Sequence, residues 1–402
     1  MDVHNAFLHG DLNEVIYIKP PPGFQPPKPN QVCRLKKSLY GLRQAPRQWF
    51  FKLATSLQNY GFHQSPLDHS LFIYRKGSVF LALLIYVDDL ILTGSDSLHC
   101  QHFKRYLQQC FKLKDLGALK YFLGIEAARS SKGLFLSQRK YTLDILSECG
   151  MLGAKPTTFP MEQNHRLSNE SGQSIPNASQ YRRLVGRLLY LTITRPDITY
   201  VVNILSQFMQ DPRQGHWDAA IRVLRYLKSS PGQGLLLPAR NTLQMTVYCD
   251  SDWAGCSMSR QSITGYLVKL GDAPISWKTK KQDTVSRSSA EAEYRAMANA
   301  TSEVVWIRNL LISLGLNVPT AQLHCDNQAA IHIAHNPVFH ARTKHIEVDC
   351  YFDRERILSG IITPHYTPTT EQLADIFTKT LGNRQFRYLL GKLGVANPHA
   401  PT

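Results

Sequence analysis

The chain has 402 residues, 43% of them hydrophobic, enough for two or three separately cored domains. Lysine and arginine number 46 against 30 aspartates and glutamates; the formal charge of +16 points to a polyanion, nucleic acid first, although excess charge also serves solubility. The longest apolar run, Val79 to Val87, is too short for a bilayer span of about 20 residues, no signal peptide is visible, and the eight cysteines show neither Cys-x-x-Cys nor zinc-finger spacing, which leaves thiols in a reducing compartment.

In chain order, residues 1 to about 125 mix short strands and helices. Pro20-Pro-Pro-Gly-Phe-Gln-Pro-Pro-Lys-Pro29 reads as a stiff connecting loop. Pro46 to Gly61 has the spacing of an amphipathic helix, with Trp49, Leu53, Leu57 and Tyr60 on one side. Val79 to Gly94 predicts two strands with a turn between them at Asp88-Asp89. Ala154 to Gln180, rich in Pro, Ser, Asn and Gln, reads as a long loop. Three helices follow, Tyr181 to Thr192, Ile198 to Met209 and His216 to Ser229, punctuated by Pro196, Pro212 and Pro231. The last carries Arg222, Arg225 and Lys228 along a polar face, which fits a solvated surface or a phosphate contact. From Leu243 the strand-like segments Leu243 to Cys249, Gly265 to Leu270 and Ile275 to Lys278 precede a long helix, Ala290 to Leu314, then a strand, Gln322 to Cys325, and further alternation. That is an α/β order. His335, His340 and His345 are evenly spaced but lie in a loop-like run with Pro337 and are read as loop residues.

Asp88 and Asp89 carry the first chemical signal. Adjacent like charges between hydrophobic strands repel and raise each other's pKa. A divalent cation is the partner such a pair calls for, although a polar turn also uses Asp. Tyr86-Val87-Asp88-Asp89 resembles the metal-binding hairpin of reverse transcriptases. Upstream, Asp2-Val-His-Asn-Ala-Phe-Leu-His-Gly-Asp-Leu12 resembles the palm strand with the other metal-binding Asp. Ser38-Leu-Tyr-Gly-Leu-Arg-Gln-Ala-Pro-Arg47 resembles the motif lining the nucleotide and template site. By the order, spacing and wording of these motifs the chain resembles the copia-type retrotransposon Pol polyprotein, from Asp2 to about Leu381. The resemblance implies that Asp2, Asp88 and Asp89 hold two Mg2+ or Mn2+ ions, that Phe7 excludes a ribose 2′-hydroxyl, and that Tyr40, Gly41 and Arg43 lie at the nucleotide site. Tyr40 stands where many retroviral relatives have Gln. Phe122-Leu123-Gly124-Ile125-Glu126 resembles the primer grip. Core packing is the plain alternative for Phe7 and Phe122. Only Met1 precedes Asp2, so the start of the palm strand and the fingers are expected to be missing and the polymerase impaired.

Four later blocks resemble the RNase H domain of the same family, in order: Tyr248-Cys-Asp-Ser-Asp-Trp-Ala-Gly255, Ser288-Ser-Ala-Glu-Ala-Glu-Tyr-Arg-Ala296, Cys325-Asp-Asn-Gln-Ala-Ala330 and Leu373-Ala-Asp-Ile-Phe-Thr-Lys379. They imply a carboxylate cluster that clamps two metal ions on the scissile phosphate of a hybrid. Glu291 and Glu293 point to nearly opposite sides of a helix. Glu293 shares a face with Ala296, Met297, Ala300, Val304, Ile307 and Leu311, so it is expected to face the sheet. Glu291 shares one with Arg295, Asn299 and Ser302, so a solvated first turn and a pair with Arg295 are expected. Asp250 and Asp252 share a strand face, and geometry leaves both open; the resemblance favours Asp250. Asp326, after a strand, and Asp375, opening a late helix, complete the set. Lys278, Lys280, Lys281, Arg287, Arg342 and Lys344 are candidates to grip hybrid phosphates, with binding that weakens as salt rises.

The expected architecture is an α/β and α+β multidomain chain: a truncated reverse-transcriptase palm (1–125), a helical thumb or connection (126–240, with loop 154–180), an RNase H-like domain with a mixed sheet (241–385) and a C-terminal tail (386–402). The expected cofactor is Mg2+ or Mn2+, two ions per active site. Expected partners are an RNA template, a DNA primer, an RNA–DNA hybrid and dNTPs, with no membrane and an intracellular location. The second reading is a transposon remnant that binds nucleic acid without turnover.

Overall fold

A computed structural model of the chain describes residues 1–25, 28, 30–163, 165, 167–335 and 347–397. The chain divides into two units, Met1–Leu119 and Lys120–Thr402. Pro26, Pro27 and Pro29 of the proline-rich loop, His340, His345, Arg342 and Lys344 lie outside the described residues.

The first unit comprises β1 (Asp2–Val3), β2 (Tyr17–Ile18), β3 (Cys33–Arg34), α1 (Ala45–Tyr60), β4 (His63–Gln64), β5 (Leu71–Lys76), β6 (Val79–Tyr86), β7 (Asp89–Gly94), α2 (Ser97–Cys110) and β8 (Leu113–Lys114). Its antiparallel sheet runs β4-β5-β6-β7-β1-β8, and β2 pairs with β3 in a separate ribbon. The apolar residues of β6 and β7 arrive at strand period, so Leu81, Leu83, Ile85 and Leu90 fall on buried positions. Against them α1 lays Trp49, Leu53 and Leu57, spaced at helical period, and α2 adds Phe103 and Leu107. Pro sits in the first turn of α1, where no N–H is lost. Gly61, at φ 109°, closes it in the left-handed conformation that favours glycine.

The second unit comprises β9 (Tyr121–Phe122), β10 (Ile125–Ser130), β11 (Gly133–Ser137), α3 (Arg139–Glu148), α4 (Ala178–Leu191), α5 (Thr199–Ser206), α6 (Gln214–Ser229), β12 (Gly234–Pro238), β13 (Met245–Asp252), β14 (Ile263–Leu270), β15 (Ala273–Lys281), α7 (Ser289–Ser313), β16 (Ala321–Cys325), α8 (Gln328–His335), α9 (Glu347–Leu358), β17 (Ile362–Tyr366), a 3₁₀ turn (Leu373–Phe377), α10 (Asn383–Lys392) and β18 (Val395–Ala396). One sheet runs β18-β12-β11-β10-β9; a mixed sheet runs β15-β14-β13-β16-β17, antiparallel from β15 to β13 and parallel from β13 to β17. The mixed sheet is covered on both faces at β14. Tyr266 and Val268 pack toward α7, while Ile263 and Leu267 join the core built by α3 to α6 and α10. The helical segment and the mixed sheet therefore share one core. Residues 386–397 are no tail: they complete α10, bury Phe386 and Leu389, and pair β18 with β12. Among the described residues no helix is long and apolar enough to cross a membrane, and all eight cysteines are free thiols.

The row Arg222, Arg225 and Lys228 is neither a solvated face nor a free phosphate grip. Arg222 pairs with Glu162 at 2.6 Å and lies over the Phe159 ring, Arg225 Nε donates to the Lys155 carbonyl at 2.8 Å, and the Lys228 ammonium donates to the Ala154 carbonyl. The long loop is thus strapped along α6 by the cations that periodicity placed outside.

Asp353, on α9, is fully buried against α7. Thr301 of α7 eases its burial only in part, and neither group makes a full hydrogen bond. Burial first, and then the neighbouring Asp349, push its carboxyl up to about 8. The folded chain then holds a proton that the unfolded chain releases near pH 4, so this group costs stability as pH rises from about 4 to about 8, at about 1.4 kcal/mol per unit. Asp353→Asn should raise the melting temperature at pH 7 to 8 and leave it nearly unchanged at pH 4; an equal change at both pH values would refute this account.

Candidate active site with two carboxylate centres

The first centre is built on the β6–β7 hairpin. Tyr86 pairs with Asp89, leaving Val87 and Asp88 as a two-residue turn. Val87 has φ 55°, a costly conformation for a β-branched residue. The indole of Trp49 donates to its carbonyl at 2.6 Å and holds it there. Asp2 stands directly opposite Asp89 across β1 and β7, and the Val3 N–H donates to the Asp88 carbonyl at 2.9 Å. Burial, then Asp88, then Asp2 raise the Asp89 carboxyl above its usual range. The three carboxylates thus share one end of the sheet, but among the described residues they do not bring their oxygens within 4.8 Å of one another, as the second centre does. Phe7 and Tyr40 meet with ring centroids 5.0 Å apart; Gly41 takes φ 92° and Arg43 is exposed.

Phe122, Leu123 and Gly124 form the β9–β10 hairpin of the second unit. Leu123 and Gly124 both take positive φ, 47° and 77°, as a type I′ turn requires. The Tyr190 hydroxyl of α4 donates to the Leu123 carbonyl and braces a conformation that leucine disfavours.

In the second centre, Asp250 lies two residues before the end of β13, Glu293 lies in the first turns of α7, Asp326 follows β16, and Asp375 sits in the 3₁₀ turn rather than at the start of a late helix. Oxygens of Asp250, Asp326 and Asp375 lie within 4.8 Å of one another, and Asp326 belongs to a second such group with Glu293 and Cys325. Asp250 is only 1% exposed. Asp252 shares its strand face but lies about 6–7 Å further along and joins neither group; the fold resolves what strand parity left open. Glu293 faces the sheet as its helical position predicts. Glu291 pairs with Arg295 at 2.9 Å, yet its turn is not solvated: it is 5% exposed and also accepts the Arg287 N–H at 2.8 Å.

Neighbouring groups fix each carboxylate. The Ser251 N–H donates to Glu293 at 3.2 Å, the Thr369 hydroxyl to Asp326 at 2.7 Å, and the Thr378 hydroxyl to Asp250. Gln372, fully buried, donates to the Cys249 carbonyl at 3.0 Å and accepts from the Ala374 N–H, tying the 3₁₀ turn to β13. Gly265 makes room for that turn: a Cβ there would lie 2.6 Å from Thr378 and 2.8 Å from Phe377. Lys379 donates to Asp375 at 2.9 Å and to Asp250 at 3.2 Å. Gln372, Thr378 and Lys379 were invisible as site residues before the fold, although Thr378 and Lys379 stand in the same block as Asp375.

Burial and mutual repulsion raise this cluster. Burial first, and then Asp250, push Asp375 up to about 7; burial and then Asp250 hold Glu293 well above the usual range; burial lifts Asp250 against the opposing pull of Lys379. Four carboxylates, three of them buried, against one ammonium that contacts two of them are an oxygen-rich set short of positive charge, and hard oxygen donors in that arrangement fit Mg2+ or Mn2+ better than a soft metal. Cys325, a soft donor, is the weak member of its group. Of the basic candidates, Lys278, Lys280 and Arg287 are exposed, while Lys281 donates to Gln207 at 3.2 Å.

A reverse transcriptase segment is the class of protein that follows: residues 1–163 match the family described as Reverse transcriptase (RNA-dependent DNA polymerase). Over 397 residues the chain is 46% identical to the Retrovirus-related Pol polyprotein from transposon RE2 of Arabidopsis thaliana, covering 98% of this chain and 27% of that polyprotein. It is also 46% identical over 226 residues to an uncharacterized mitochondrial protein of the same plant, covering 56% of this chain and 93% of that protein. The chain belongs to the copia-type retrotransposon Pol polyprotein family and spans about a quarter of the length of the long relatives it matches. Among solved structures it is similar to the N-terminal RNase H domain of a Mycobacterium tuberculosis protein, at 12% identity and a TM-score of 0.25, covering 37% of this chain and 98% of that one. At that score the nuclease reading rests on this chain's own side chains.

Proposed function

We propose that the second unit is a ribonuclease H that cleaves the RNA strand of RNA–DNA hybrids, and that the first unit is the palm of an RNA-directed DNA polymerase using template, primer and dNTPs. The convergence of Asp250, Glu293, Asp326 and Asp375 from four separate segments carries the nuclease reading. These residues would hold two divalent ions, whose chemistry when bound is to activate a water at the scissile phosphate and stabilise the leaving oxygen. Thr378, Ser251 and Thr369 keep the carboxylate oxygens in place, the kind of outer support on which metal sites depend. Lys278 and Arg287 are exposed and would contact the hybrid backbone, and Lys280, exposed but paired with Asp283 at 3.3 Å, would have to exchange that partner for a phosphate; such contacts position a substrate without reading its sequence. The A-form shape and the 2′-hydroxyl would mark the RNA strand. In the first unit, Asp2, Asp88 and Asp89 would hold the polymerase ions, and Phe7 with Tyr40 would wall the nucleotide.

Only the second centre already draws its oxygens together, so hybrid cleavage is the activity expected first. The test is cleavage of an end-labelled RNA–DNA hybrid by the whole chain with Mg2+, run beside primer extension on the same preparation. Hybrid cut in its RNA strand only, and only with the ion, is the expected result. Tight hybrid binding by a cooperatively folded chain without any cut would instead identify a binding remnant.

A further inference from the structure

Lys379 is the sole ammonium or guanidinium among the described residues that contacts the carboxylate cluster of the nuclease centre, and it contacts two members of it: Asp375 at 2.9 Å and Asp250 at 3.2 Å. Its backbone is fixed by an N–H bond to the Asp375 carbonyl at 3.0 Å. Its side chain is 30% exposed, whereas those of Asp250 and Asp375 are 1% and 6% exposed, so the charge reaches in from the rim with its stem against the protein. Both carboxylates it spans belong to the group whose oxygens lie within 4.8 Å of one another. An ammonium and a divalent cation placed there draw on the same negative charge.

We propose that Lys379 is a resident counter-cation of this cluster, which holds Asp250 and Asp375 together and yields them to a divalent ion. The assignment rests on the reading of the four carboxylates as an ion-binding centre. It makes Lys379 a positioning residue, because two buried carboxylates so close repel unless a cation stands between them. It also makes Lys379 a competitor of the ion. Removing it therefore has two effects of opposite sign. The chain in EDTA loses a bridge and melts earlier, while the centre binds ions more tightly because nothing has to be displaced. A merely structural role would weaken both.

The experiment compares the whole wild-type chain with Lys379→Gln and Lys379→Arg, by melting temperature in EDTA and by calorimetric titration with Mn2+ alone. K379Q is expected to melt several degrees lower in EDTA and to bind Mn2+ about tenfold more tightly, a shift of about 1.4 kcal/mol; K379R should stay near wild type in both. If K379Q folds only when Mn2+ is supplied, the proposal stands. Unchanged or weaker Mn2+ binding by K379Q, or failure to fold with and without the ion alike, overturns it. These shifts in K379Q, beside a wild-type chain that never cuts a hybrid, would sink the nuclease reading and leave Lys379 as assigned.

Discussion

Asp250→Asn should lower magnesium-dependent cleavage of an RNA–DNA hybrid by at least about a hundredfold, since second-shell partners alone cost 10- to 100-fold at metal sites. Asp250 is the hub of the second centre: it accepts from Thr378 and Lys379, and its charge bears on both Glu293 and Asp375. The amide keeps the shape and removes one anionic ligand, so the folded state should persist and the melting temperature should not fall with the activity. Asp252→Asn is the internal control. Asp252 lies on the same face of β13 but outside both groups of converging oxygens, and its substitution should cost less than about tenfold, or about 1.4 kcal/mol of barrier. Single-turnover rates on one labelled hybrid separate the two. Equal losses would mean that the cluster is not centred where the fold puts it.

Asp197→Ala should destabilise the second unit by about 3–5 kcal/mol, the usual result of orphaning one partner of a buried ion pair. Arg195 is fully buried, and its guanidinium donates to Asp197 through Nε at 3.0 Å and Nη2 at 2.8 Å, and to the Ser230 carbonyl at 2.9 Å. Asp197 also accepts from the Tyr226 hydroxyl at 2.6 Å and from Gln233 at 2.9 Å. The network joins the segment between α4 and α5 to the end of α6 and the start of β12, beneath the core that backs the mixed sheet. At about 2–4 °C per kcal/mol for a body of this size, the melting temperature should fall on the order of 10 °C. Replacing Arg195 and Asp197 together by apolar residues of similar volume should cost far less than the single change, because no bare charge is left behind. A D197A chain within about 1 kcal/mol of wild type in denaturant unfolding would refute this, since one good hydrogen bond alone is worth about that much.

Much of the chemistry was legible before the fold. Periodicity places the strands around Asp88-Asp89, the helix from Pro46 to Gly61 and the long helix at Ala290 within a few residues of where they occur. The angle between positions two apart on a helix is enough to send Glu293 toward the sheet. Other readings failed where a long-range partner overrode a local pattern. Glu291 lies on the polar side of α7 but is buried under its pair with Arg295. Arg222, Arg225 and Lys228 form a polar stripe, yet each is occupied by the loop preceding α4. Arg195-Pro-Asp197 looked like punctuation around a proline and is instead a buried ion pair.

The sequence by itself determined the family, the order of the acidic blocks and which side of each helix is apolar, because these follow from residue type and from the fixed periods of helix and strand. Tertiary structure alone decided that Asp250 rather than Asp252 meets Asp326 and Asp375, that Lys379 bridges two of them, and that Gly265 gives the 3₁₀ turn its seat. Those arrangements depend on segments distant in the chain, as the contact between Thr378 and Asp250 shows. Local spacing fixes the direction of a side chain on its own element, and only the packing of elements fixes what it points at.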